Sequence, residues 1–333
     1  MKSIKGLLFI ILSISLLQLS CGSKLNTEWK LLNKQGISQG MAWSISATSY
    51  QGTPYIAFKD KFAPKGCKPN PAVMHCGLGQ PTVIKYNGTA WEVIGKPRFI
   101  AGQTSFLSLA IHKGIPYVAF SVRSNDNKAS VYHYKNKKWS PLGPKSITQG
   151  AAINLSLTFH NDKPTLAFVD IKEKYKATVL QFKNKRWTPL GKPGVSKSRT
   201  VYTNLLSLKG ILYLVYKDIA LKGKASVMKF NNKKWEYVGK PGFSKGEVDF
   251  TTISSDGTNL FVAYADITQK NKATVMIYKN NKWSTLGKKG FTGADANRIV
   301  LKVHNNIPYV AYKDIKHKDK LSVMAYVKEK WRY

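Results

Sequence analysis

Acidic residues are scarce. Seventeen Asp and Glu stand against 53 Lys and Arg in 333 residues, a formal net charge of +36, and that imbalance nominates polyanionic partners over cationic ones. Long apolar runs are scarcer still: one exists, over residues 6–17, which excludes a multispanning helical membrane protein. Cysteine is limited to three. No segment sustains a helical period, and G-x-G-x-x-G, P-loop and H-E-x-x-H patterns and a Ser-His-Asp order are missing, so nucleotide chemistry and the familiar hydrolytic centres have no foothold. Hydrophobic residues are not lacking. At 43% hydrophobic and 12% aromatic the chain can bury a core, and a disordered reading fails.

The single apolar run belongs to an address. Lys2 and Lys5 precede it and Leu19-Ser20-Cys21-Gly22 follows, the layout of a secretory signal peptide over residues 1–20. Cys21, after Ser20 and before polar Gly22, Ser23 and Lys24, resembles the lipobox of bacterial lipoproteins. That resemblance implies an acylated Cys21, a short tether over 21–28 and an exported lipoprotein at the outer membrane or cell surface, with the periplasmic face as a further location. Ordinary cleavage that leaves a free terminus is the alternative. Removing Lys2 and Lys5 leaves 51 − 17 = +34. Cys67 and Cys76 then form an even pair in an oxidising compartment, nine apart in a Pro- and Gly-rich stretch, and read as a disulfide closing a surface loop. With His75 they would make three metal ligands, one short of a structural zinc site, so no metal is expected.

The rest of the chain is a repeat. Trp91, Trp139, Trp187, Trp235, Trp283 and Trp331 follow one another at intervals of 48, most opening a W-x-x-[LIV]-G segment. Trp29 precedes Trp91 by 62 residues, 14 more than the period, and the excess lies in the cysteine-bearing insertion at about 61–81. Within each period four short apolar segments alternate with Gly, Asn and Asp turns; in one repeat they are 106–111, 115–120, 129–134 and 138–142. Four antiparallel strands repeated six times resemble a six-bladed β-propeller over residues 29–333, an all-β fold. The pattern W-x-x-[LV]-G, P-Y-[VI]-A-[FY]-x-D, K-A-[ST]-V is similar to that of bacterial secreted propellers, and differs from WD repeats and from the Asp-box of sialidases. Both Trp29 and Trp331 could supply an outer strand, and ring closure needs one.

Six copies in one chain act as an internal control: what every repeat keeps serves packing and turns. The repeated Trp is expected between neighbouring sheets. Asp60, Asp170, Asp218, Asp266 and Asp314 end the second strand, and Lys176, Lys224, Lys272 and Lys320 stand six residues later across a hairpin. Weak exposed ion pairs are expected there. His112, His160 and His304 fall in a turn phase. Basic residues are uneven: residues 188–235 hold ten basic and one acidic, a net +9, and residues 236–283 hold six and five, a net +1.

Candidate function sits where the repeats differ. Twelve residues past each Trp stand Met41, Gln103, Ala151, Arg199, Glu247 and Asp295; fifteen past it stand Ser44, Phe106, Asn154, Tyr202, Phe250 and Arg298. If the strand they enter lines the channel, its mouth gathers Trp43, Phe106, Asn154, Arg199, Tyr202, Asp249, Phe250 and Arg298, with Asn297 nearby, as a ligand site. The expected function is a non-enzymatic binding module of the cell envelope for an anionic polymer or glycan, such as lipopolysaccharide, teichoic acid, or a sulfated or acidic glycan. Its partners are then an anionic glycan or lipid head group, with the membrane reached through the N-terminal lipid. No cofactor is expected, and export argues against intracellular nucleic acid. The alternatives are a carbohydrate-active hydrolase using Glu247 and Asp295, and an assembly scaffold engaging an envelope protein. Cys21→Ala should shift the protein from the membrane fraction to the aqueous one; unchanged partitioning, together with an unmodified wild-type N-terminal mass, would refute the anchor.

Overall fold

The computed structural model describes residues 38, 41–61, 79–231, 233–317 and 320–332. The leader, Cys21, Trp29, Cys67, Cys76 and nearly all of the insertion lie outside the described residues.

Each repeat folds into one four-stranded antiparallel sheet whose strands neighbour one another in chain order. The six blades span residues 41–93, 104–141, 152–189, 200–237, 248–285 and 296–332. The described helices are three single 3-10 turns, such as Arg123–Asn125. The first strand of each blade is innermost, since first strands of successive blades pack on each other from blade 1 through blade 6. The fold is a six-bladed β-propeller.

Cohesion lies between blades. Second strands are too apolar to leave a wet face, as Leu260–Asp266 is buried throughout, and alternation sends their side chains to both neighbouring sheets. Val215 and Val227 of blade 4 pack with Val262, Tyr264 and Trp283 of blade 5. Four further clusters fill the other interfaces from blade 1 to blade 6. Each fully buried Val or Leu contributes about 1.5–3 kcal/mol.

The repeated Trp is the clamp at each of these interfaces. Its indole Nε1–H donates to a carbonyl 45 residues earlier, on the apolar residue of the preceding W-x-x-[LIV]-G segment. The pairs are Trp139 to Ile94 at 2.8 Å, Trp187 to Leu142 at 2.8 Å, Trp235 to Leu190 at 2.7 Å, Trp283 to Val238 at 2.8 Å and Trp331 to Leu286 at 3.1 Å. The motif glycine makes room for that ring. At Gly239, where φ is +67°, a Cβ would lie 3.0 Å from the Trp283 ring. Trp331 thus holds the outer strand of blade 6, Lys330–Arg332.

The aspartates that end the second strands depart from expectation. They are buried, Asp60, Asp218 and Asp314 at 2% exposure and Asp266 at 1%, and no Asp–Lys pair of the expected kind forms among the described residues. Lys176, Lys224, Lys272 and Lys320 are their backbone partners across the hairpin, but the carboxylates accept from hydroxyls two residues further on. Thr178 donates to Asp170 at 2.9 Å, Ser226 to Asp218 at 3.4 Å, Thr274 to Asp266 at 3.2 Å and Ser322 to Asp314 at 2.8 Å. The reason is strand geometry: the hydroxyl and the Asp share one buried face, and a buried carboxylate needs donors close by. These bonds lock blades 3 to 6 internally, while Asp60 of blade 1 pairs with Arg98 at 3.0 Å.

Candidate functional site

Every innermost strand carries a bulge at one phase of the repeat. The pairing register slips there, for example between Val201 and Asn204 and between Asp249 and Thr252. One residue of each bulge takes a left-handed backbone: Ser44, Phe106, Asn154, Tyr202, Phe250 and Arg298, with φ of 50°, 55°, 51°, 56°, 54° and 55°. Glycine is the unstrained choice at such an angle, and an aromatic or Arg residue costs about 1–2 kcal/mol more. None of the six is glycine. A bulge re-aims a side chain, and keeping one at this cost in every blade implies that side chains are wanted there.

A second ring holds the bulges in place. Two residues on, Ser46, Ser108, Ser156 and Asn204 accept from the backbone N–H of the next blade's innermost strand, at Leu109, Leu157, Leu205 and Ile253, over 2.9–3.1 Å. In blade 6 the same phase holds Val300, which cannot accept.

Blades 3 to 6 bring the bulge residues together. Asn154 Oδ1 accepts from the Tyr202 N–H at 3.4 Å, the Tyr202 and Phe250 rings lie 4.9 Å apart, and the Arg298 guanidinium sits 5.8 Å from the Phe250 centroid. Beside them the Lys217 ammonium bridges Glu247 at 2.6 Å and Asp249 at 2.8 Å. Burial pulls the Lys217 pKa down, but bonds to Asp249 and Glu247 win and raise it. The Tyr202 phenol is also raised, first by burial and then by Asp249. The resulting surface joins two aromatic rings, one exposed guanidinium and an ammonium shared by two carboxylates, a group with one formal negative charge in excess. It can stack on an apolar sugar face and fork onto an anionic oxygen pair.

The other sequence candidates lie apart from this arc. Phe106, like Phe250, is half-buried against an inter-blade core, here between blades 2 and 3, but its neighbours at the bulge phase, Ser44 and Asn154, carry no ring. Arg199 stacks on Tyr175 at 4.6 Å, a cation–π pair that aims it at the rim. Trp43, 48% exposed, carries the Lys61 ammonium 4.2 Å above its ring. Asp295 enters no ion pair among the described residues, and Glu247 is engaged by Lys217. Sequence reasoning missed Lys217. The available signal was positional: lysine precedes the second-strand Asp at Lys59, Lys217 and Lys313, whereas Ser121, Val169 and Ala265 fill that phase elsewhere.

Two surface depressions of about 530 and 490 Å³ lie on blade 1, one bordered by Tyr55, Lys85 and Asn87, the other by Gln80, Arg98 and Phe99. Both are open, and each also borders aromatic and cationic side chains. The mouth differs in carrying its groups on strained bulge positions at which the repeats diverge.

No sequence family and no curated protein matches the chain. Its backbone is similar to solved propellers. YjhT aligns with a TM-score of 0.55 at 15% identity over 89% of this chain and 98% of its own. SapL1 lectin, solved in complex with alpha methyl fucoside, aligns at 0.59 and 13% over 87% and 94%. Aleuria aurantia lectin, described as a six-bladed β-propeller with a novel fucose recognition mode, aligns at 0.58 and 13% over 86% and 92%. At such identities the likeness establishes the fold alone.

The strained bulge yields a test. Arg298→Gly should raise stability by up to about 1 kcal/mol in urea unfolding, by relieving the left-handed backbone at an exposed side chain. A loss of stability would show that Arg298 is held by packing instead.

Proposed function

We propose that the chain is a carbohydrate-binding propeller of the bacterial envelope whose channel mouth takes an acidic glycan. The observation that carries this reading is the arc of Tyr202, Phe250 and Arg298, three side chains kept at strained bulges and brought together at one mouth. Two aromatic faces suit the apolar side of a pyranose, and Arg suits a carboxylate or sulfate. The lectin function of SapL1 and of Aleuria aurantia lectin supports carbohydrate as the ligand class. The net charge supports an anionic member of it. Lipidation at Cys21 and an outer-membrane or surface location belong to the same proposal, as does a disulfide between Cys67 and Cys76.

A hydrolase is the weaker reading. It would need Glu247 and Asp295 as acid and base, one of them giving a proton to the leaving group, but Glu247 accepts a bond from Lys217 at 2.6 Å and shares that ammonium with Asp249. Those bonds suit a carboxylate that fixes the mouth's shape.

On an array of neutral, uronic and sulfated glycans, the wild type should prefer the acidic members. Phe250→Ala or Arg298→Ala should lower affinity by about 1–3 kcal/mol, while Glu247→Gln leaves the array free of cleavage products, as in the wild type. Binding should weaken steeply as salt rises. Preference for neutral sugars with no response to salt would overturn the acidic specificity, and turnover abolished by Glu247→Gln would overturn the binding-module reading.

A further inference from the structure

We infer that Lys59 forms a second anion-binding position, at the mouth between blades 1 and 2, for a carboxylate or sulfate supplied by a ligand. It goes beyond the arc just described, because it uses none of its residues. Lys59 is 7% exposed and Lys217 8%, and the two occupy the same position in their blades. Tyr55 and Ala57 pack toward blade 2, so strand alternation sends Lys59 to that side too. Val215 packs likewise toward blade 5, and Lys217 follows it.

Both lysines cross a glycine at the same phase. A Cβ at Gly79 would come within 2.8 Å of Lys59 Cε, and one at Gly223 within 2.9 Å of Lys217 Cε. Blades 2, 3 and 5, without such a lysine, have Asn127, Tyr175 and Asn271 at this phase, and blade 6 has Lys313 but Asp319 in the glycine's place, so the lysine-over-glycine cradle belongs to Lys59 and Lys217. The difference lies across the interface. Lys217 reaches Glu247 and Asp249, 30 and 32 residues on. Allowing for the 14-residue insertion, the counterparts facing Lys59 are Gln103 and Ser105, both neutral.

Lys59 has no hydrogen-bond or ion-pair partner among the described residues. Its surroundings are cationic: Arg123 donates to Gln103 Oε1 at 3.1 Å, and Lys61 lies close enough to act on Lys59. Burial lowers the Lys59 pKa, and Lys61 lowers it further. A buried ammonium without a counter-charge is costly. Blade 5 shows which group restores the balance, and between blades 1 and 2 the ligand brings it.

Lysine-resolved NMR titration of the full chain, with glucuronate and with inorganic sulfate as probes, tests this. Either probe should raise the Lys59 pKa while Lys217 stays unmoved; the probe that acts identifies carboxylate or sulfate as the group recognised. Gln103→Glu should raise it without ligand and weaken the added anion at least about tenfold. Arg298→Ala should leave the response intact, so this proposal and the glycan reading can fail separately. A Lys59 that responds to neither anion, or an affinity unchanged in Gln103→Glu, would overturn it.

Discussion

The bond from each indole to a carbonyl 45 residues upstream is the constraint on which the rest of the propeller depends. It makes every blade incomplete alone, because the acceptor belongs to the preceding repeat. A buried indole N–H without an acceptor costs about 1–3 kcal/mol, so the W-x-x-[LIV]-G segment describes an interface more than a blade. The glycine belongs to that interface too, since the next ring lies where its Cβ would project. Blade spacing and rotation are set at the periphery by these contacts, and the mouth inherits a fixed frame.

That frame sustains unfavourable backbone angles at the centre. The left-handed bulges would relax if the innermost strands were free to slide, but a Ser or Asn side chain ties each to the next from blade 1 to blade 5. The strain is therefore supported by neighbours and not by the side chain at the bulge itself. The Lys217 bridge to Glu247 and Asp249 adds a charged tie where the aromatic arc is densest.

Most of this architecture was legible because a 48-residue period exposes structural positions by repetition alone. Strand order, turns and the role of Trp all follow from it. The second-strand aspartates were misread because sequence displays the lysine directly opposite, while the hydroxyl two places further on is the group that shares the buried face. The mouth was half legible. Asymmetric phases drew attention to Tyr202, Phe250 and Arg298, but whether a candidate side chain joins the arc, lacks a neighbouring ring like Phe106 or stacks on a tyrosine outside the arc like Arg199 depends on local packing that spacing does not encode. Lys217 was hidden by abundance, one lysine among many.

The bulge also separates what the backbone needs from what the side chain says. Its conformation is imposed by hydrogen bonds from adjoining residues, and six chemically unrelated side chains occupy it at φ between 50° and 56°. Each blade thus offers an address whose occupant can be rewritten without redrawing the scaffold. A lineage carrying this fold can change what it recognises one blade at a time, and hexameric symmetry at the periphery is compatible with a mouth that has none.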